Sequence, residues 1–119
     1  MTGNPNTTYR VLREVLSERA LQDGPVQDGQ WGGRNHPDGT ADRGDRDRAD
    51  FARHQQTVMA GRGLLAWRDI LNTQVRETFA ESDPAVLRAK LVHVAAFAVA
   101  WIEAIDRRNT ASLTEGAAR

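Results

Sequence analysis

With 119 residues the chain has room for one domain, and its formal net charge of zero, sixteen Lys and Arg against sixteen Asp and Glu, argues against a general nucleic-acid or membrane-surface binder. Only 39% of the residues are hydrophobic and the mean hydropathy is −0.59, so a monomer would bury a thin core and oligomerisation is the expected remedy. The absence of cysteine removes a disulfide framework, a thiol nucleophile and a cysteine metal site.

Residues 1–7 read as a loose polar arm. From Thr8 onward, Tyr9, Leu12, Val15, Leu16 and Ala20 mark an amphipathic helix that Asp23-Gly24-Pro25 stops near Gln22. Gln-Asp-Gly then occurs at 22–24 and again at 27–29, a repeat at a five-residue interval. The next stretch, Trp31 to Thr40, is suited to closing over a ligand. Its glycines let backbone approach closely, and Trp31, Arg34, Asn35 and His36 offer directed contacts. The same residues also suit a turn in which Trp31 packs and Asn35 and His36 bond backbone. No Gly-Lys-Ser/Thr follows the glycines, so this is not a phosphate-binding P-loop.

From Asp42 to Asp50 the run DRGDRDRAD alternates in sign, the pattern of a solvated face or a flexible segment. Asp50 to Ala60 then forms a short helix, with Phe51, His54, Gln55, Val58 and Met59 at helical spacing, ended by Gly61-Arg62-Gly63.

The strongest periodicity runs from Trp67 to Arg108 and predicts a long antiparallel helical hairpin. Leu64, Trp67, Leu71, Val75 and Thr78 or Phe79 form one stripe; Leu87, Leu91, Val94, Ala98, Ile102 and Ile105 form the other. Ser82-Asp83-Pro84 separates them, with an aspartate able to cap the second helix and a proline tolerated at its first position. Beside the stripes stand polar sets: Thr73, Gln74 and Glu77 on the first helix, Lys90, His93 and the aromatic Phe97 on the second. Alanines 95, 96, 98 and 100 would let another helix approach closely, which favours a homodimer or homotetramer. The last residues, 109–119, lack apolar periodicity and read as a frayed tail, leaving 8–108 as the domain.

Other chemistries find little support. His36, His54 and His93 lack metal-ligand spacing, and no nucleophile elbow is present. The longest uncharged apolar run, Val94 to Ile102, is far short of the roughly 20 residues that span a bilayer, so a soluble cytoplasmic protein is expected.

The segment ILNTQVRETFAESDPAVLRAKLVHVAAFAVAWIEAIDRR, with SERALQDGPVQDGQWGGRNHPDG upstream, resembles the MazG-like, all-α nucleoside triphosphate pyrophosphohydrolases. The resemblance covers most of residues 17–108 and implies a helical bundle with acids on two helices that hold magnesium for triphosphate hydrolysis. In that alignment the family's paired acids fall on Thr73 and Gln74, only Glu77 matches, and the positions on the second helix fall on Lys90 and His93. Magnesium prefers octahedral oxygen ligands, and one carboxylate beside an ammonium is a poor cage. Lys90, the chain's only lysine beside fifteen arginines, is therefore expected to neutralise Glu77 in place of a cation.

Three functions follow from this pattern. The first is a binding or regulatory protein that lost the magnesium site and keeps a pocket for a nucleotide or other small molecule, with no metal and no cofactor. The second is an enzyme repurposed for metal-independent acid–base chemistry through Glu77, Lys90 and His93. The third is retained magnesium-dependent pyrophosphohydrolysis. In each, Trp31, Arg34, Asn35, His36, Thr73 and Gln74 are the expected ligand contacts.

Overall fold

The computed structural model describes residues 5–22 and 36–118, with side chains described as far as Thr110. The described chain is all-α, with α1 (Pro5–Gln22), α2 (Asp45–Gly61), α3 (Trp67–Phe79) and α4 (Pro84–Ala118) and no strand. Two compact units result: Asp38–Ala98, and Met1–Pro37 together with Val99–Arg119.

The first unit begins with a correction. The helix expected from Asp50 starts at Asp45, so the second part of the alternating charge run is a solvated helix face, with Arg46, Asp47, Arg48 and Asp50 exposed, rather than a flexible segment. The Asp45 carboxylate accepts from the Asp42 N–H at 2.8 Å and from Arg48 Nη2 at 2.7 Å, and Arg46 Nε lies 3.2 Å from Asp50 Oδ1 one turn on. Acids in the first turn suit the positive end of the helix dipole, and opposite charges three or four residues apart become neighbours once the helix forms. Gly44 precedes the helix at φ 87°, where an added Cβ would lie 2.9 Å from Arg48 Nη1. At the other end, Gly63 donates to the Ala60 carbonyl and Leu64 to the Met59 carbonyl, a Schellman closure in which Gly63 takes φ 69°.

That turn reverses the chain into α3, which lies antiparallel to α2. Thr73 meets Ala52, Glu77 reaches back between Arg46 and Arg53, and Phe79 O accepts the Ala41 N–H at 2.7 Å, so partners recede along α2 as α3 advances. The seam is built from small residues: Ala49 and Thr73 are wholly buried and Ala52 nearly so. Thr73 Oγ1 can donate to Ala52 O at 3.2 Å or to Asp69 O at 3.0 Å, so its hydroxyl is satisfied inside the contact. The predicted stripe of Leu64, Trp67, Leu71, Val75 and Thr78 or Phe79 holds at Thr78, which is buried. Thr73, beside the stripe, is buried as well, while Leu64 and Phe79 are exposed and Trp67, Leu71 and Val75 are half-buried. The reason is steric, because helices that meet over alanines come too close for large side chains between them.

A short loop, residues 80–83, leads to α4. Asp83 Oδ2 accepts the Val86 N–H at 3.0 Å and Pro84 occupies the first helical position, as Ser82-Asp83-Pro84 predicts. Leu87 is buried, whereas Val86, Leu91 and Val92 are exposed. The stretch Pro84–Thr110 is long and apolar enough, by length and composition, to cross a bilayer, with 11% of its most apolar window buried.

In the second unit α1 begins at Pro5, within the segment expected to be a loose arm, and ends at Gln22 as expected. Val11 and Val99 are buried, and Thr8 Oγ1 donates to Glu103 Oε1 at 2.9 Å. Here α4 continues past Arg108 to Ala118, where a frayed tail was expected. No proline interrupts it, and each added residue extends an existing helix rather than nucleating a new one.

Two substitutions test this packing by denaturant unfolding. Ala52→Leu overfills the seam and lowers stability by about 1–3 kcal/mol. Ala41 sits at φ 57°, a conformation unfavourable for a residue with a Cβ, so Ala41→Gly raises stability by about 0.5–1 kcal/mol.

Candidate functional site

Glu77 follows Thr73 by one turn of α3 and projects along the α2 seam, where two arginines from α2 receive it. Arg46 Nη2 lies 2.8 Å from Oε2, while Arg53 reaches Oε1 through Nη2 at 3.0 Å and Nε at 3.1 Å. Arg46 and Arg53 are seven residues apart, two helical turns, so they stand on one stripe of α2 and bracket a carboxylate from the facing helix. Asp50, between them, holds Arg46 from the other side. Only 17% of the Glu77 side chain is exposed, so both oxygens are engaged with little water to replace their partners.

The electrostatics follow from this geometry. Burial pushes the Glu77 carboxyl up, but hydrogen bonds from Arg46 and Arg53 and their positive charges outweigh it and leave the group below the ordinary glutamate range. The same bond raises the Arg46 guanidinium further above its already high value. Glu77 is thus an ionised carboxylate whose charge is already matched.

The expected partnership of Glu77 with Lys90 is not formed. Lys90 Nζ lies 3.0 Å from Glu81 Oε1, in the loop that ends α3. Glu81 also accepts the Asp83 N–H at 3.0 Å; that bond and the Lys90 ammonium together hold its carboxyl below the ordinary range. The lysine therefore ties the start of α4 to the preceding loop. His93 is exposed and packs edge-on against Phe97, with ring centroids 4.9 Å apart at 80°. No hydrogen bond or ion pair among the described residues joins Glu77, Lys90 and His93, so the expected coupled cluster gives way to Glu77 between two arginines, a separate Lys90–Glu81 pair and an aromatic contact. The arginines prevailed because α2 starts earlier than its sequence pattern suggests, which brings Arg46 into the helix.

The ligand contacts expected from sequence divide similarly. Thr73 is buried in the seam, its hydroxyl turned to backbone, and Gln74 is half-buried with its carbonyl accepting from Thr78 Oγ1 at 2.7 Å. His36 is exposed in a segment without regular structure, while Trp31, Arg34 and Asn35 lie outside the described residues. Among the described residues no group of three or more His, Asp or Glu side chains is gathered in a way that could hold a metal ion.

The other flank of the α2–α3 seam carries residues that sequence reasoning did not single out as a site. Asp47, Arg48, Phe51, Ala52, Asn72 and Arg76 line a groove of about 360 Å³. The only sequence sign of it was the position of these side chains roughly half a helical turn away from Arg46 and Arg53. Comparison with models of protein families, with curated proteins and with solved structures finds no match to this chain.

Double-mutant cycles read the pairing directly. Glu77→Gln combined with Arg53→Gln gives a coupling on the order of 1 kcal/mol, moderated by solvent around the half-exposed guanidinium, whereas Glu77→Gln with Lys90→Met gives none. A pH series supplies a second check. The depressed Glu77 carboxyl contributes stability that is intact above the ordinary glutamate value and is lost as pH falls through the lower folded value. Asp45, held low by Arg48 and the Asp42 amide, acts with the same sign. Glu77→Gln therefore flattens the acid limb of the stability profile without abolishing it.

Proposed function

We propose that this chain is a metal-independent small-molecule-binding protein of MazG-like descent, acting as a homodimer or homotetramer rather than as a magnesium-dependent hydrolase. One observation carries the reading: Glu77, the single acid at the hydrolytic positions implied by the resemblance, has both oxygens held by Arg46 and Arg53. A magnesium ion would have to displace two guanidinium groups from a largely buried carboxylate and would gain one ligand in return, where hydrolytic sites use several together with substrate phosphate oxygens. Thr73 supports the same reading, because it stands at another of those positions and is enclosed in the helix seam.

Self-association has its own support. Val86, Leu91 and Val92 expose between 43% and 57% of their surfaces on one stretch of α4, beside the exposed small residues Ala95 and Ala96. Covering such half-exposed side chains contributes about 1 kcal/mol each. A second copy suits this stretch better than a bilayer, since Pro84–Thr110 also carries Arg88, Lys90, Glu103, Asp106, Arg107 and Arg108, which are costly in hydrocarbon.

Two measurements test the proposal. Purified protein incubated with nucleoside triphosphates and magnesium releases no pyrophosphate at ordinary enzyme turnover; chelator-sensitive release in proportion to protein would contradict it. Light scattering at micromolar concentration gives the mass of a dimer or tetramer, and Leu91→Arg shifts it toward monomer. A compact monomer for the unaltered chain would remove the oligomer from the account.

A further inference from the structure

We infer that the groove between α2 and α3, on the flank away from Glu77, is a binding site for a small aromatic carboxylate that also carries a hydrogen-bond donor. The inference rests on the reading of the chain as a binding protein and names the class of ligand.

The lining is chemically selective. Arg76, from α3, is only half-exposed, yet no hydrogen bond or ion pair involving its guanidinium is formed among the described residues. Its planar fork of donors matches a carboxylate in two parallel bonds. Arg48 is already committed, with Nη2 at 2.7 Å from Asp45 and 3.3 Å from the Arg43 carbonyl, whereas Arg76, whose charge is also felt at Asp45, keeps its donors open to a ligand. Phe51, 62% exposed, lines the groove with a flat apolar ring on which another ring can stack. Asn72 and Asp47 complete the lining, and neither side chain has a hydrogen-bond partner among the described residues.

Charge complementarity narrows the ligand further. Arg76 and Asp47 cancel within the lining, so no second free cation is left for further negative charge and a polyphosphate is disfavoured relative to a monocarboxylate seated on Arg76. The Asp47 carboxylate can only accept, which favours a hydroxyl or amine at the far side of the ring. A volume of about 360 Å³ accommodates one such ring with its substituents and lies at the small end of ligand pockets.

The test uses the full chain and 4-hydroxybenzoate as probe, followed by amide chemical shifts. Saturable shifts centred on residues 47–52 and 72–76 are expected, with affinity reduced about tenfold or more in Arg76→Gln and partly retained in Arg76→Lys. Phe51→Ala weakens the probe as well, and Arg68→Gln, an exposed arginine of α3 outside the groove, leaves it unchanged. Inorganic phosphate does not compete, and 4-hydroxybenzyl alcohol, which lacks the anion, binds at least about tenfold more weakly than the probe. Because Arg76 has no ion-pair partner, Arg76→Gln keeps the native spectrum, so lost binding is separable from lost folding. Absence of saturable shifts at millimolar probe, equal affinity in Arg76→Gln, or substitutions that change the oligomeric mass without changing probe affinity would overturn the inference. Chelator-sensitive pyrophosphate release would instead overturn the binding-protein reading on which it rests.

Discussion

The close approach of α2 and α3 over Ala49, Ala52 and Thr73 governs most of what the Asp38–Ala98 unit can do. Small side chains at the seam bring the helix backbones together, and short polar or charged groups can then cross from one to the other. On one flank this places Glu77 within reach of Arg46 and Arg53, and on the other it sets Phe51 and Arg76 on the walls of one groove. Larger residues at the seam would open the distance and dissolve both arrangements. Thr73 belongs to this constraint, since its hydroxyl closes onto backbone and removes the need for a ligand there.

Charge is distributed to match. Fifteen of the sixteen basic residues are arginines, and two of those in the Asp38–Ala98 unit tie more than one partner. Arg46 holds Glu77 and Asp50, and Arg48 holds Asp45 and a backbone carbonyl. Guanidinium groups suit this use because their donors are fixed in a plane and lose little freedom with each bond. Lys90 makes one contact to one carboxylate. Acids in this unit are shared out among arginines, Glu77 across the seam and Asp45 and Asp50 within α2.

Much of the architecture was legible in the sequence because it rests on local rules. The all-α class, the end of α1 at Gln22, the Gly61-Arg62-Gly63 stop and the Ser82-Asp83-Pro84 start each follow from residues within a few positions of one another. Which side of α3 is buried did not follow, because it depends on alanines in a different helix. The partner of Glu77 was missed for a related reason. A run of alternating charges marks a solvated face or a flexible segment without saying which, and nothing local announces that two arginines seven residues apart will bracket a carboxylate across a seam. Lys90 drew attention by its rarity, yet the two arginines had the better geometry. Phe51 and Arg76 were visible as residues but not as neighbours, since only the antiparallel pairing joins them.

The central claim is that Glu77 is an ion-pair partner and not a metal ligand, and carboxyl-carbon NMR of that side chain addresses it most directly. The account predicts a Glu77 resonance that titrates below the ordinary glutamate range, shifts upward in an Arg53→Gln variant, and stays unmoved when millimolar magnesium is added with a nucleoside triphosphate. A Glu77 resonance that titrates at or above the ordinary range, or one that magnesium displaces in a saturable way, would contradict it.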